Sequence, residues 1–316
     1  MNNISTHTDL AKESIANLIE GTHYSKEIIK EDDYLIETYQ IKEDNKHLKK
    51  GKYIEIYFKQ HTISIYNPIK NILKKMIDEQ NYPRILIIGL GNNNLTSDAI
   101  GPRVINEIKP THYLDDSIKL ENNYYDILAF IPGVMYQTGV ETMDTIKALV
   151  DKFQIDLVIA IDALCTKDYQ KLGHVIQIND VGIHPGSGIG NHRKALNKAN
   201  LECKVIAIGI PTVIYASAIV SDILLLIKDY FGDTLNKKNI LKIGKKKEYI
   251  GTLNKKQSKQ LLGELGMLDN LQLQSLLEEV LNPIDQNYIM SDKQIDEQVS
   301  ILSSLLAKII NDLRYK

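Results

Sequence analysis

The stretch Ile85-Leu86-Ile87-Ile88-Gly89-Leu90-Gly91-Asn92 joins four apolar residues to a glycine-containing loop, and Asp98 follows six residues later. A second apolar run, Leu157-Val158-Ile159-Ala160-Ile161, is followed directly by Asp162. Unbroken apolar runs of this length are typical of strands buried on both faces of an α/β sheet. Ligands bind such sheets at the carboxyl ends of the strands. We therefore expect Asp98 and Asp162 at one edge, where two acids are able to share a proton as an acid/base pair.

Strand-like and helix-like segments alternate around these two runs. Strands are predicted at 84–90, 126–131, 157–162, 174–179 and 204–209, and helices at 98–109, 138–153, 191–199 and 216–231. This alternation predicts an α/β fold, a mostly parallel sheet flanked by helices.

Additions are predicted at both ends of this core. One or two strands in 52–66 form a β-rich N-terminal addition, and helices at 272–282 and 292–313 form a C-terminal one. A helix is also predicted at 68–80, and a short helix with Thr8 as its cap near the start. We expect a single domain over residues 8–316, with its core at 84–232 and a helical extension at 255–316.

The composition narrows the class of protein. The net charge of −2 over 316 residues does not indicate a nucleic-acid binder. No apolar run approaches the ~18 residues of a membrane span, and no secretory signal is visible. The two cysteines, Cys165 and Cys203, lack metal-type spacing and fit a reducing cytoplasm.

A glycine-rich segment follows the predicted strand at 174–179. Its sequence is Gly182-Ile183-His184-Pro185-Gly186-Ser187-Gly188-Ile189-Gly190-Asn191-His192-Arg193. Such a segment is a loop whose backbone N–H groups are able to hold an oxyanion or a peptide backbone. His184 is a candidate base or metal ligand, or a hydrogen-bonded loop histidine. Arg193 is a candidate for binding a carboxylate, or a helix-face residue. Pro185 stands where a serine nucleophile elbow needs glycine, which argues against Ser187 as a nucleophile.

The remaining candidates each have a structural alternative. Asp98 is also a candidate N-cap for the following helix, and Asp162 a structural acid paired with a lysine or arginine. Glu141 is a candidate substrate contact, but Thr138 and Glu141 have the spacing of a capping box, which we favour. Thr212 is a candidate for lining the crevice, but a plain turn after the last strand is the favoured interpretation. The Gly89-Leu90-Gly91 loop lacks the third glycine of a dinucleotide fingerprint, so no nucleotide cofactor is predicted.

Taken together, these loops resemble the germination protease family, the endopeptidases of endospore-forming bacteria. The resemblance lies in Gly89-Leu90-Gly91-Asn92, Asp98-Ala99-Ile100-Gly101-Pro102, Pro132-Gly133-Val134-Met135, Thr138-Gly139-Val140-Glu141-Thr142, Ala160-Ile161-Asp162-Ala163-Leu164, Gly182-Ile183-His184-Pro185-Gly186-Ser187-Gly188, Gly190-Asn191 with Arg193-Lys194, and Ala207-Ile208-Gly209 with Pro211-Thr212. Thr8-Asp9-Leu10-Ala11 is similar to the point where that family's zymogen leader ends.

The resemblance implies a fold and an activity. The fold is similar to that of the hydrogenase maturation endopeptidases, and the family's two essential aspartates match Asp98 and Asp162. The family degrades small acid-soluble spore proteins at germination. It is made as an inactive homotetrameric precursor that removes its own leader, which matches residues 1–7 here. We expect a protein of the cytoplasm of the forespore or spore core, with no cofactor, no metal, no membrane and no direct nucleic-acid partner.

These expectations combine into a hydrolytic mechanism. One aspartate is ionised and takes a proton from water, while the other is protonated and polarises the scissile carbonyl. The predicted substrate-binding residues are His184, Gly186, Ser187, Gly188, Arg193 and Glu141. Family substrates are cut next to a glutamate, so Arg103 or Arg193 is a candidate for binding that side chain.

Two other functions remain open from the sequence. The first is a metal-dependent hydrolase of the maturation-endopeptidase type, with Asp98, Asp162 and His184 as ligands. The second is a non-catalytic module that binds an anionic ligand in the glycine-rich loop.

Overall fold

The computed structural model describes residues 8–15, 18–45, 48–59, 63–78, 83–185, 194–235, 249, 251–281 and 288–315. The described residues form nine strands, namely β1 (Tyr24–Lys30), β2 (Tyr34–Ile41), β3 (Gly51–Phe58), β4 (Arg84–Gly89), β5 (Asp126–Phe130), β6 (Leu157–Thr166), β7 (Val175–Asn179), β8 (Lys204–Tyr215) and β9 (Ile289–Met290). Their helices are α1 (Ala11–Ser14), α2 (Tyr66–Asp78), α3 (Ile100–Glu107), α4 (Asp116–Glu121), α5 (Met135–Thr138), α6 (Thr142–Phe153), α7 (Lys198–Leu201), α8 (Ala216–Leu235), α9 (Lys255–Leu262), α10 (Asn270–Leu281) and α11 (Ile295–Asp312).

The described residues divide into two compact units. The larger unit contains the described parts of His7–Thr166, Gln170–Val213 and Ser291–Lys316. The smaller unit contains Lys167–Tyr169 and the described parts of Ile214–Met290. The expected domain boundaries stay a prediction.

A mixed sheet organises the larger unit, in the order β1-β2-β3-β7-β8-β6-β4-β5. Strand β4 pairs in parallel with β5 and with β6, whereas β1, β2, β3, β7 and β8 pair antiparallel in succession. The predicted α/β class, with flanking helices, N-terminal strands and C-terminal helices, is confirmed. The expected parallel pairing holds on the β4 side of the sheet. Strand β7 is antiparallel because residues 167–174 are too short for the crossover that a parallel return needs.

Helices cover both faces of the parallel part of this sheet. Ile85 and Ile87 of β4 pack on one face in a cluster with α2, α3 and α11, which includes Leu73, Val104 and Leu306. The alternate residues Leu86 and Ile88 pack on the other face with α6 and α7. Successive side chains of a strand point to opposite faces, so an apolar run is required when both faces are buried.

Several elements differ from the predicted bounds. Strands β6 and β8 are longer than predicted, so Thr212 lies inside a strand and not in a turn. The helix predicted at 138–153 is divided into α5 and α6 at Gly139, whose φ of 70° ends α5. Strands β1 and β2 were not predicted. Of the helix predicted at 191–199, residues 191–193 lie outside the described residues, and α7 begins only at Lys198.

The smaller unit contains α8, α9 and α10. Lys228 of α8 donates from Nζ to the carbonyl oxygen of Leu268 at 2.9 Å, and Asn254 with Gln257 forms a capping box at the start of α9. Strand β9 pairs antiparallel with Ile214 and Tyr215. Among the described residues, no helix is both long and apolar enough to span a bilayer.

Candidate functional site

Asp162 lies at the point where β6 extends beyond its neighbour β4. The last pair between these strands joins Gly89 to Ile161, and the N–H of Leu90 donates to the carbonyl oxygen of Ile161 at 2.8 Å. Asp162 therefore lies inside β6, four residues before it ends, and not at the end of the strand as predicted. Its side chain is only 5% exposed, and its Oδ1 accepts the N–H of Ala163 at 2.9 Å.

Asp98 ends a short 3-10 turn, Thr96–Asp98, that leads into α3. Its Oδ2 accepts the backbone N–H of Asn92 at 2.8 Å, so the carboxylate is held by the loop that follows β4. The N-cap position of α3 is Ala99, which makes no side-chain cap, and the capping alternative for Asp98 is therefore wrong. A backbone N–H that donates to a carboxylate favours its ionised form.

Two close contacts position the Asp98 turn: one joins the start of α3 to β6, and the other joins the turn to β8. A Cβ on Gly101 of α3 would lie 2.4 Å from the carbonyl oxygen of Leu90 and 2.5 Å from that of Ile161, so α3 starts directly against β6. The hydroxyl of Thr212 in β8 donates to the carbonyl oxygen of Ser97 at 2.6 Å. Strands β4 and β8 flank β6 in the sheet, so the turn that ends at Asp98 and residue Asp162 share one edge.

Glycine is required at position 91 beside Asp98. Gly91 has a φ of 111°, which residues with a side chain rarely adopt. A Cβ there would lie 2.0 Å from the carbonyl oxygen of Asp98 and 2.9 Å from its Oδ1. The loop backbone therefore approaches Asp98 more closely than any side chain at position 91 would allow.

The N-terminal strap, defined here as residues 8–15, pairs with β6 beyond Asp162. The N–H of Asp9 donates to the carbonyl oxygen of Cys165 at 3.1 Å, and the N–H of Cys165 donates to Oδ2 of Asp9 at 2.8 Å. Gln177 of β7 binds the backbone of Asp9 and Ala11 through its side-chain amide. Thr8 accepts the N–H of Leu10, which is the N-cap position of α1, so the predicted cap role of Thr8 is wrong.

A buried ion pair fixes the strap to the sheet. Oε1 of Glu13 accepts from Nζ of Lys171 and from the hydroxyl of Thr166, both at 2.7 Å. Burial alone raises the pKa of Glu13, but the charge and hydrogen bond of Lys171, with the hydroxyls of Thr8 and Thr166, outweigh it and hold that pKa below its usual range. The folded state therefore gains stability from this pair at pH values above the ordinary glutamate range.

Removal of the Lys171 ammonium by Lys171→Met is expected to lower the free energy of unfolding by about 3–5 kcal/mol, because it leaves a buried carboxylate without its charged partner. Urea denaturation at neutral pH measures the loss. The matched control is Lys259→Met, since the Lys259–Glu264 pair is exposed and its loss should leave the stability nearly unchanged.

The same pair predicts a pH dependence. Because the pKa of Glu13 is lowered by folding, its contribution is present above the unfolded value of about 4.5 and is lost as the pH falls through the folded value. The difference in stability between wild type and Lys171→Met should therefore shrink below pH ~4.5. A difference that grows on acidification contradicts this account of the strap.

His184 lies beside the strap. Its side chain is largely exposed, but the part that is buried lowers its pKa. The charge of Asp9 raises that pKa, and the charge of Lys49 lowers it. No cluster of three or more metal-binding side chains occurs among the residues that the structure describes. The structure therefore places His184 by Asp9, and the described residues around it offer no ligand set for a metal.

Glu141 does not form the capping box that its spacing favoured. It is the N-cap residue of α6 but makes no side-chain cap, and the Thr138 hydroxyl bonds instead to the carbonyl oxygens of Val134 and Val140. Oε1 of Glu141 is buried, and within the described part of the chain it has no hydrogen-bond partner. The capping interpretation is wrong, and Glu141 stays a candidate substrate contact.

The tip of the glycine-rich loop, with Gly186, Ser187, Gly188 and Arg193, lies outside the described residues. Its two ends are joined by reciprocal backbone hydrogen bonds between Ile183 and Leu196, at 3.0 and 2.8 Å. The predictions for these four residues stay predictions.

Sequence reasoning missed three supports of this edge. The hydroxyl of Thr212 and the strap contacts join residues that are remote in the chain, so no local pattern reveals them. The third is Asn92, whose Oδ1 accepts from Nε2 of Gln137 at 3.1 Å and from the N–H of Asn94 at 3.0 Å. The second of these bonds is an Asx turn, which the Asn-rich stretch 92–94 signals.

The edge thus combines two carboxylates in different surroundings. Each accepts a backbone N–H, but Asp98 is partly exposed, while Asp162 is buried within a strand. Two acids in unlike environments are suited to opposite protonation states, which general acid/base hydrolysis needs.

Comparisons with known proteins show what the whole chain is similar to. A family model described as Germination protease matches residues 5–315. Curated germination proteases of Bacillus subtilis (strain 168) and Bacillus mycoides (strain KBAB4) are 38% identical over 238 residues and 37% identical over 239 residues. Each alignment covers 72% of this chain and 65% of the relative, so it spans about two thirds of those proteins. Among solved structures, the NiFe hydrogenase maturation protease HycI of Thermococcus kodakarensis KOD1 matches at 16% identity and a TM-score of 0.33, covering 76% of this chain and 98% of that one.

Proposed function

Since this chain belongs to the germination protease family, we propose that it is an endopeptidase that starts the degradation of small acid-soluble spore proteins during germination. The observation that supports an aspartate mechanism is the shared edge, where α3 starts against β6, the strand of Asp162, and Thr212 of the neighbouring β8 binds the Asp98 turn. The proposed location is the cytoplasm of the forespore or spore core.

In the proposed mechanism the two acids have separate roles. Asp98, which is partly exposed, is ionised and takes a proton from the attacking water. Asp162, which is buried, is protonated and donates a hydrogen bond to the scissile carbonyl oxygen. The proton taken by Asp98 then passes to the leaving amine as the tetrahedral intermediate collapses. Backbone N–H groups of residues 186–190 are proposed to hold the oxyanion, and Arg103 or Arg193 to bind the substrate glutamate.

The test is incubation of the purified protein with a purified small acid-soluble spore protein, in buffer with and without a strong chelator. We expect fragments cut beside a glutamate, at the same rate in both buffers. An intact substrate supports the non-catalytic binding module, and fragments that disappear with chelator support the metal-dependent hydrolase.

We also propose that the protein is a homotetrameric zymogen that removes residues 1–7 itself. The strap supports this boundary, because Asp9 pairs with Cys165 and Glu13 with Lys171, so a product that begins at Thr8 keeps these contacts. N-terminal sequencing of the matured, active protein should therefore begin at Thr8. Active protein that still begins at Met1, or that begins beyond Ser14, would refute the leader.

A further inference from the structure

We infer that Thr212 is a positioning residue for Asp98, an inference that rests on the proposed aspartate pair. Thr212 is 1% exposed in β8, and its hydroxyl donates to the carbonyl oxygen of Ser97 at 2.6 Å. Ser97 precedes Asp98 in the 3-10 turn. The hydroxyl therefore binds the backbone that carries the acid.

The hydrogen bond from Thr212 connects the turn that carries Asp98 to β8, the strand next to that of Asp162. Within the turn, the N–H of Asp98 bonds to Leu95 and the carboxylate bonds to Asn92, so these two contacts attach Asp98 to the loop that follows β4. Thr212 attaches the same turn to β8, which lies next to β6 and therefore next to the strand of Asp162. Loss of the hydroxyl leaves the turn without this link to the strand beside β6.

The consequence falls on the chemical step. Thr212 is buried and its hydroxyl is directed to Ser97, so it acts through the turn and not on substrate. Small displacements of a catalytic group lower the rate of reaction strongly, by up to about 10²-fold for 1 Å. We therefore expect a loss in kcat with little change in KM, because the surface that binds the peptide is unaltered.

The experiment compares three variants of the full chain in the spore-protein digestion. Thr212→Val removes the hydroxyl at nearly constant volume, and we expect kcat to fall about 10- to 100-fold while KM stays within about threefold. Thr212→Ser keeps the hydroxyl, and we expect it to retain kcat within about threefold. Thr212→Ala also lacks the hydroxyl and reports on the same loss where Thr212→Val fails to fold.

Thr111→Val is the matched control. Thr111 is 2% exposed, and its hydroxyl donates to the carbonyl oxygen of Tyr125, close to the start of β5 and so at the opposite edge of the sheet. We expect it to lower the melting temperature much as Thr212→Val does and to leave kcat unchanged.

Three results would overturn the inference: a kcat in the hydroxyl-free variants equal to that of Thr111→Val, a loss carried by KM alone, or no rescue by Thr212→Ser. Asp98→Asn measured in parallel separates the two levels of the proposal. Full activity in Asp98→Asn removes the aspartate mechanism itself. An inactive Asp98→Asn beside a fully active Thr212→Val removes only the positioning role.

Discussion

Replacement of Asp98 or Asp162 by asparagine is expected to lower kcat for spore-protein cleavage by about 10²- to 10⁴-fold, the usual contribution of a general acid or base. Asparagine keeps the shape of aspartate but exchanges no proton at neutral pH. In Asp98→Asn the side-chain amide oxygen is still able to accept the N–H that Asn92 donates to the native carboxylate, so the turn should persist. The rates are measured under single-turnover conditions, with circular dichroism to verify the fold.

The matched control for this substitution is Asp151→Asn. Asp151 is 58% exposed and pairs with Lys147 on the surface of α6, so its loss should change neither rate nor fold. A wild-type rate in either Asp98→Asn or Asp162→Asn would remove the proposed mechanism.

Gly91→Ala is expected to have the second largest effect, with a loss of activity of at least about 10²-fold. A Cβ at this position meets the carbonyl oxygen of Asp98 at 2.0 Å, which is backbone and cannot rotate away. The Asp98 turn must therefore move. The φ of 111° adds a conformational cost of about 1–3 kcal/mol for any residue other than glycine. Digestion assays and thermal unfolding measure the two effects separately.

Gly21→Ala isolates the conformational cost. Gly21 also has a positive φ, of 86°, but a Cβ there meets nothing within 4 Å. We expect it to lose about 1–2 kcal/mol of stability and no activity. If Gly91→Ala and Gly21→Ala lose the same activity and the same stability, then the close approach of the loop to Asp98 does not contribute to activity.

The central strands and the helices that cover them were predictable, because the pattern of apolar residues that indicates each element lies within that element. Residues 85–88 and 157–161 are apolar without interruption, as a strand that is covered on both faces requires. The helices that cover it have apolar residues at helical spacing, as in α6 and α11.

Strands β1 and β2 were not predictable, because a buried acid lies among the apolar residues of β2 and some of its partners are remote in the chain. Glu37 of β2 is 4% exposed and accepts from Lys26 and Tyr39, with Lys12 of the strap also paired to it. Burial alone raises the pKa of Glu37, but these hydrogen bonds lower it to about 2. Read along the chain, such a residue marks a surface segment, and only the folded arrangement supplies its partners.

The candidate site divides in the same way. The location of Asp98 and Asp162 at one edge was predictable, because each follows an apolar strand and the carboxyl ends of parallel strands lie at the same edge of an α/β sheet. The capping alternative for Asp98 was wrong, because the N-cap position of α3 is Ala99 and the Asp98 carboxylate accepts the N–H of Asn92. The role of Thr212 depends on a contact between β8 and a turn that lies 115 residues earlier in the sequence. No rule based on the spacing of residues predicts such a contact.

The central claim is that Asp98 and Asp162 act as one catalytic unit. The single-turnover rate of the double variant Asp98→Asn/Asp162→Asn tests it against the two single variants. Groups that act as a unit show non-additive losses of rate. The rate of the double variant should therefore lie within about tenfold of the rate of the slower single variant. Losses that multiply would show that the two acids act independently and would contradict the account.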